Sequence, residues 1–168
     1  RSNNVIQLAE ATHDFQIANI ANQIGGYIGV KAAPRARLVL IAGPSSSGKT
    51  TFANRLGVYL TSTGVRPLVL SVDSYYKGWP DIDSRGMQYV DWESLDSLNL
   101  ELLNEHLLKL LAGEEVLVPE YDMKTSMPCE ESKWVKTQLP EGGIIIMEGI
   151  HCLNPALTPR VDGFVKFP

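Results

Sequence analysis

The stretch Leu38-Val-Leu-Ile-Ala-Gly-Pro-Ser-Ser-Ser-Gly-Lys-Thr50 decides the fold of this 168-residue chain. An apolar run, predicted as the strand Leu38–Ala42, leads into a loop with the spacing GxxxxGK[ST]. A helical pattern at Thr50–Thr63 follows the loop, and Gly64 ends it. A strand, a glycine-bounded loop and a helix in this order are typical of a backbone cradle for phosphate groups.

The residue types in the loop suit a nucleotide triphosphate. Gly43 and Gly48 let the backbone bend around an anion, so that successive N–H groups and the positive end of the next helix point at the phosphates. Lys49 adds a positive charge near the β- and γ-phosphates, and the Thr50 hydroxyl is placed to ligate Mg²⁺. The predicted nucleotide-binding residues are Gly43, Ser45, Ser46, Ser47, Gly48, Lys49, Thr50 and Thr51. The motif alone leaves open whether the triphosphate is hydrolysed, acts as a switch or phosphorylates another molecule.

From residue 37 onward, short apolar runs alternate with helical stretches. Further strands are predicted at Pro67–Val72, Val116–Val118 and Gly143–Met147, and a second helix at Leu98–Ala112. This alternation predicts an α/β fold with a parallel sheet flanked by helices, and the GxxxxGK[ST] loop indicates that the sheet is of the P-loop NTPase type. Residues 3–24 have the pattern of an amphipathic helix, which predicts an N-terminal helical appendage. The expected organisation is a helical extension and linker over 1–34 and a nucleotide-binding domain over 35–168.

Two acidic residues end predicted strands at one edge of the sheet. Asp73 follows Pro67–Val72, and Glu148 follows Gly143–Met147. Ligands of open α/β sheets bind beyond the carboxyl ends of the strands, so both carboxylates are candidates for chemistry. One can accept a proton from an attacking hydroxyl, and the other can hold a metal ion. The alternatives are a turn or helix cap for Asp73 and a solvated strand end for Glu148.

Composition excludes several other classes of protein. The chain has 15 Lys+Arg, 19 Asp+Glu and a net charge of −4 at pH 7, without a basic run, so nucleic acid is not an expected partner. Its longest apolar stretch is far shorter than the roughly 20 residues of a membrane-spanning helix. Cys129 and Cys152 do not form a disulfide pattern, so we expect ordinary partly buried thiols and a cytoplasmic protein. We expect His106 to be a solvated residue of the second helix.

Four motifs in one order resemble the uridine kinase and phosphoribulokinase family of P-loop kinases. They are the phosphate loop, VDSYYKG (72–78), VPEYDMKT (118–125) and IIIMEGIHCLNP (144–155). The resemblance implies an ATP- and Mg²⁺-dependent kinase in which Asp73 is the base and Lys49 the other catalytic residue. It also implies that Glu148 supports Mg²⁺ beside Thr50. The acceptor-binding residues that it implies are Tyr76, Asp91 and Tyr121.

Departures from the family pattern bear on the acceptor. Uridine–cytidine kinases typically have two phenylalanines and a histidine where this chain has Val90, Met123 and Ser126. These exchanges weaken stacking and hydrogen bonding to a pyrimidine ring. The expected acceptor is therefore a small molecule, in the first place a nucleoside, and it need not be uridine or cytidine.

The family also closes an arginine-bearing lid over the phosphates. After Glu148 the chain has only Arg160 and Lys166 as Arg or Lys residues, so we expect a fragment of a longer polypeptide, with the kinase domain incomplete at its carboxyl end. His151 is open between facing the phosphates and local packing. The leading hypothesis is γ-phosphoryl transfer to a hydroxyl. The alternatives are a non-catalytic nucleotide-binding regulatory module and a kinase for a sugar phosphate or a vitamin, and a homo-oligomer is left open.

Overall fold

The computed structural model describes residues 16–22, 37–43, 48–78, 81–82, 88–89, 91–161 and 164–167. Its helices are α1 (residues 16–22), α2 (Lys49–Ser62) and α3 (Leu100–Leu111). The strands are β1 (Leu38–Ile41), β2 (Pro67–Ser71), β3 (Asp81–Ile82), β4 (Gln88–Tyr89), β5 (Val116–Val118), β6 (Tyr121–Asp122), β7 (Met127–Pro128), β8 (Val135–Thr137), β9 (Ile144–Glu148) and β10 (Phe164–Phe167). Short 3₁₀ turns lie at Val72–Tyr75, Leu95–Ser97 and Glu131–Lys133.

A parallel four-stranded sheet forms the centre of the fold. Its strand order is β10-β1-β9-β2, so β9 lies between β1 and β2. Every residue of β9 is buried, as expected for a strand of a parallel sheet that is covered on both faces. Glu148 at the end of β9 lies opposite Ile41 of β1 and Ser71 of β2. The carboxyl ends of these three strands therefore meet at one edge.

Alternate residues of β1 and β9 face opposite sides of the sheet and build two apolar clusters. One cluster contains Leu38, Leu40, Ile145 and Met147 with Leu103, Leu107 and Leu110 of α3. The other contains Val39, Ile41, Ile144 and Ile146 with Ala53, Leu56 and Leu60 of α2 and Ile17 and Ala21 of α1. Full burial of each large aliphatic side chain contributes roughly 1.5–3 kcal/mol, so the clusters hold both helical layers on the sheet.

The predicted elements lie close to the observed ones. The strands β1, β2 and β9 begin and end within one residue of their predictions. Helix α3 begins at Leu100 rather than Leu98, because the Asn99 side chain caps it by accepting a hydrogen bond from the Leu102 amide at 3.1 Å. The prediction that Val116–Val118 is a strand is confirmed, but it does not join the parallel sheet. It pairs antiparallel with β8, and this separate ribbon leaves Leu117 exposed.

The N-terminal helical pattern is described over 16–22, where the chain is helical as predicted. Ile17 and Ala21 are buried against β1, β9 and α2. The remainder of the predicted helix over 3–24 lies outside the described residues, and the division of the chain at residue 34 stays a prediction. Among the described residues, no helix has the length and apolar character that a membrane crossing requires.

The prediction that His106 is solvated is wrong. His106 is buried, because it lies on the same face of α3 as Leu103, Leu107 and Leu110. Its Nδ1 atom lies 3.0 Å from the hydroxyl of Tyr75, which is buried in the turn after β2. Burial lowers the pKa of His106. The exposed Glu105 beside it raises that pKa, and Lys109 lowers it further.

This buried histidine predicts a pH dependence of stability. Because its pKa is depressed in the folded state, only the unfolded chain gains a proton when the pH falls below the ordinary imidazole pKa of about 6.5. Stability that is present above that pH is therefore lost as the pH falls. We expect the Tm of the parent to drop more steeply than that of His106→Gln between about pH 7.5 and 5.5. Parallel profiles in thermal melts would contradict this assignment.

Candidate functional site

The phosphate loop is described at both of its ends. Gly48 has a φ of 74°, a left-handed conformation that favours glycine, and its carbonyl accepts a hydrogen bond from the Phe52 amide at 2.9 Å. It is the residue before α2, and no side chain caps this helix. The amides at the start of α2 are thus suited to an anion. Gly43 follows β1 closely, and the predicted contacts of Ser45, Ser46 and Ser47 lie outside the described residues.

Glu148 and Thr50, the two residues predicted to hold a metal ion, are in contact. The Thr50 hydroxyl donates a hydrogen bond to Oε1 of Glu148 at 3.0 Å, across 98 positions of sequence. Glu148, the last residue of β9, is 2% exposed. The alternative interpretation, a solvated strand end, is therefore wrong. Lys49, beside Thr50, is also buried. The first turn of α2 and the end of β9 therefore meet as predicted.

Asp73 lies in the 3₁₀ turn that follows β2. Its amide donates to the Ser71 hydroxyl at 3.3 Å, and Ser71 is the residue that pairs with Glu148 in the sheet. Burial raises the pKa of Asp73, and the nearby Glu148 carboxylate raises it further. Lys49 and His151 lower it. These interactions place Asp73 at the same strand edge as Thr50 and Glu148, the predicted metal ligands, and a raised pKa suits a base near neutral pH.

A set of aromatic side chains lies beside this edge. The ring of Trp92 lies 4.7 Å from that of Tyr76 and 5.9 Å from that of Tyr121, measured between centroids, and meets both nearly at right angles. The rings of Tyr76 and Tyr121 are 5.7 Å apart. Asp91, next to Trp92, is exposed. The structure thus brings the three predicted acceptor residues together.

Sequence reasoning missed Trp92 and left His151 undecided. The main-chain carbonyl of Trp92 lies 3.0 Å from the Tyr76 hydroxyl and 2.8 Å from Nε2 of His151. His151 is buried. The signal for Trp92 was its position directly after Asp91, but an aromatic residue there fits a core role equally well.

The other residues singled out from the sequence are placed as follows. Met123 is 55% exposed on the β6–β7 hairpin. Ser126 is half-buried and has a φ of 54°, which is unusual for a residue with a side chain. Val90 lies outside the described residues. Cys129 and Cys152 are free, as expected. Cys129 is partly buried as predicted, whereas Cys152 is fully buried, and burial raises the pKa of Cys152 to about 12.

The donor set fits Mg²⁺ bound together with phosphates. In the described parts of the chain, no cluster of three or more His, Cys, Asp or Glu side chains could hold a metal ion alone. Mg²⁺ prefers oxygen ligands and is usually held by one or two protein groups plus the substrate phosphates. A hydroxyl and a buried carboxylate whose oxygens lie 3.0 Å apart match that description.

The parallel sheet, the loop that leads into α2 and the carboxylates at the strand edge define a P-loop kinase fold. The model of the Phosphoribulokinase / Uridine kinase family matches residues 38–165, and the chain belongs to this family. The resemblance inferred from the four motifs is thereby confirmed.

Individual relatives agree with this assignment. The uridine kinase of Ureaplasma parvum is 29% identical over 116 residues, which are 69% of this chain and 54% of that protein. The uridine kinase of Deinococcus deserti is 33% identical over 113 residues, 67% of this chain and 52% of that protein. This chain spans about half the length of these relatives. The structure of a possible uridine kinase from Bacillus stearothermophilus matches with a TM-score of 0.66 and 26% identity, covering 94% of this chain and 80% of that one.

The glycine after Glu148 allows the segment after β9 to approach the turn after β2 closely. A Cβ atom on Gly149 would lie 2.7 Å from Cβ of Val72, the residue before Asp73. We therefore expect Gly149→Ala to lower the free energy of unfolding by about 1–3 kcal/mol, as overpacking does. Gly57→Ala is the control, because its Cβ would meet Val69 at an ordinary 3.4 Å and alanine favours a helix interior. Equal stability of the two variants in urea unfolding would contradict this packing argument.

Proposed function

We propose that this protein transfers the γ-phosphoryl group of ATP to a hydroxyl of a small molecule, and that the acceptor is a nucleoside. The observation that carries the proposal is the meeting of Lys49, Thr50, Asp73 and Glu148 at one sheet edge, with a 3.0 Å hydrogen bond between the two metal-binding candidates. The membership of the family and the similarity to uridine kinases support it.

The binding of ATP follows from the positive charge of Lys49 and from the direction in which the first amides of α2 point. The amides at the start of α2 and the Lys49 ammonium attract the phosphates, and buried charges act strongly where little water screens them. Thr50 and Glu148 would hold Mg²⁺, which supplies neutralisation of phosphate charge when it is bound. With these groups in place, catalysis rests on positioning and on charge stabilisation.

The acceptor side requires a base. The acceptor oxygen forms a bond to the γ-phosphorus in line with the bond to the leaving oxygen of ADP, which breaks. The proton of the acceptor hydroxyl passes to the Asp73 carboxylate, and no phosphoenzyme forms. Burial and the Glu148 charge favour the protonated form of Asp73, so the carboxylate accepts a proton more readily than an exposed aspartate.

The nucleoside part of the proposal rests on the acceptor side chains. Trp92 and Tyr121 offer partly exposed aromatic surface, and the buried Tyr76 ring packs against both. The exposed carboxylate of Asp91 lies beside them and can accept hydrogen bonds from sugar hydroxyls. Met123 stands where pyrimidine kinases carry an aromatic residue, so we expect a relaxed preference among bases.

A lysine substitution tests the donor site. Lys49→Ala is expected to weaken Mg·ATP binding roughly 10- to 100-fold, since it removes a charge-assisted contact worth about 1.5–3 kcal/mol. Isothermal titration calorimetry of the full chain measures it. Lys77→Ala serves as the control, because Lys77 is exposed and follows the turn after β2. If Lys49→Ala binds ATP like the parent, the loop is not the nucleotide site.

An aspartate substitution tests the reaction. Nucleosides and sugar phosphates are screened for ATP-dependent phosphorylation, with Asp73→Asn as the matched variant. We expect that variant to lose about 10²–10⁴-fold in kcat while it keeps its affinity for ATP. Its Tm should equal or exceed that of the parent, because the substitution removes a carboxylate whose charged form is disfavoured by burial and by Glu148.

Three other outcomes of the screen would count against the proposal in different ways. Parent-like turnover by Asp73→Asn would exclude Asp73 as the base. Tight ATP binding without transfer to any acceptor would favour the regulatory module over the kinase. Transfer to a sugar phosphate alone would keep the kinase and overturn the nucleoside acceptor.

A further inference from the structure

The main-chain carbonyl of Trp92 is a junction between three segments that are far apart in the sequence. The Tyr76 hydroxyl donates to it at 3.0 Å, and Nε2 of His151 lies 2.8 Å from it. A carbonyl oxygen has two lone pairs and no proton, so two donors satisfy it completely. It follows that His151 carries a hydrogen on Nε2.

Each of the two donors follows one carboxylate of the site at the same distance in the sequence. Tyr76 comes three residues after Asp73, and His151 comes three residues after Glu148. Both donors are buried, at 4% and 7% exposure, on segments that leave the adjacent strands β2 and β9. The carbonyl is therefore hydrogen-bonded to both segments that follow the strand ends carrying the proposed chemistry.

The segment that carries this carbonyl contains predicted binding residues for the phosphoryl acceptor. Trp92 is half-buried, and the neighbouring Asp91 is exposed. The Asp91 carbonyl is itself hydrogen-bonded by the Ser97 hydroxyl, and the Asp91 carboxylate accepts from the Glu93 amide at 3.2 Å. With these contacts, the turn that begins at Asp91 has a defined place relative to Asp73.

We propose that His151 is a positioning residue for the phosphoryl acceptor: with Tyr76, it holds the Trp92 carbonyl and so sets the distance between the acceptor-binding turn and the base. This inference rests on the proposed kinase function. It assigns a role to the histidine of the IIIMEGIHCLNP segment that does not involve contact with phosphate. A change of acceptor affinity, with ATP affinity unchanged, is its consequence.

The first test separates the two substrates in steady-state kinetics with uridine and Mg·ATP. His151→Leu keeps much of the side-chain volume and removes the donor, so we expect the KM for uridine to rise about tenfold and the KM for ATP to change less than about twofold. His151→Gln places an amide donor within similar reach and is expected to restore most of the uridine KM. Cys152→Ala is the control, since it removes a buried side chain next to His151 and leaves the Trp92 carbonyl intact.

Two kinetic results would overturn the inference. One is a uridine KM of His151→Leu equal to that of the parent. The other is an equal rise of both KM values, repeated in Cys152→Ala, which is the pattern of general loosening. The absence of phosphate transfer by the parent to uridine or to any other nucleoside would instead count against the proposed function, and the positioning role is then decided by the second test.

The second test needs no turnover. In a chain with Trp79→Phe and Trp134→Phe, Trp92 is the remaining tryptophan, and its fluorescence reports the position of the turn. We expect His151→Leu to make Trp92 at least about twofold more accessible to quenching by acrylamide, and His151→Gln to reverse this change. Unchanged quenching in His151→Leu would overturn the proposal whatever the acceptor is.

Discussion

The pairing of β9 between β1 and β2 is the constraint on which the site depends. Because Glu148 lies opposite both Ile41 and Ser71, the loop after β1, the turn after β2 and the segment after β9 leave the sheet at one level. A shift by one residue would exchange the faces of β9, so that Ile144 and Ile146 entered the cluster of α3, and it would move Glu148 out of line with Ile41 and Ser71. The burial that stabilises the sheet thus also sets the positions of the chemical groups.

The same edge collects charges that are costly to bury. Glu148 is almost fully buried and Asp73 partly so, and the Glu148 carboxylate raises the pKa of Asp73, as burial does. Lys49 and the Thr50 hydroxyl offset part of this cost. A site with unfavourable electrostatics in the absence of ligand has more to gain from a cation and an anionic substrate, which is common where chemistry is performed.

Much of the fold was predictable because its signals are local. The apolar run of β1, the spacing of the glycines and Lys49, and the carboxylates at the strand ends all lie in short stretches of sequence. The placement of β5 was not predictable, since a short apolar run does not specify its partner. The burial of His106 and the hydrogen bond of His151 depend on residues 31 and 59 positions away, and a single sequence carries no signal for such distant pairs. The geometry of the edge is now described, and the roles of its residues stay predictions.

The burial of Ile17 and Ala21 against the central sheet changes how the unit should be delimited in practice. The sequence pattern suggests that the kinase portion starts near residue 35, yet these two side chains complete the cover over Val39 and Ile41. A shortened chain that starts near residue 35 would expose an apolar surface to solvent and would tend to self-associate. An expression boundary should therefore follow the packing and retain the helix over 16–22.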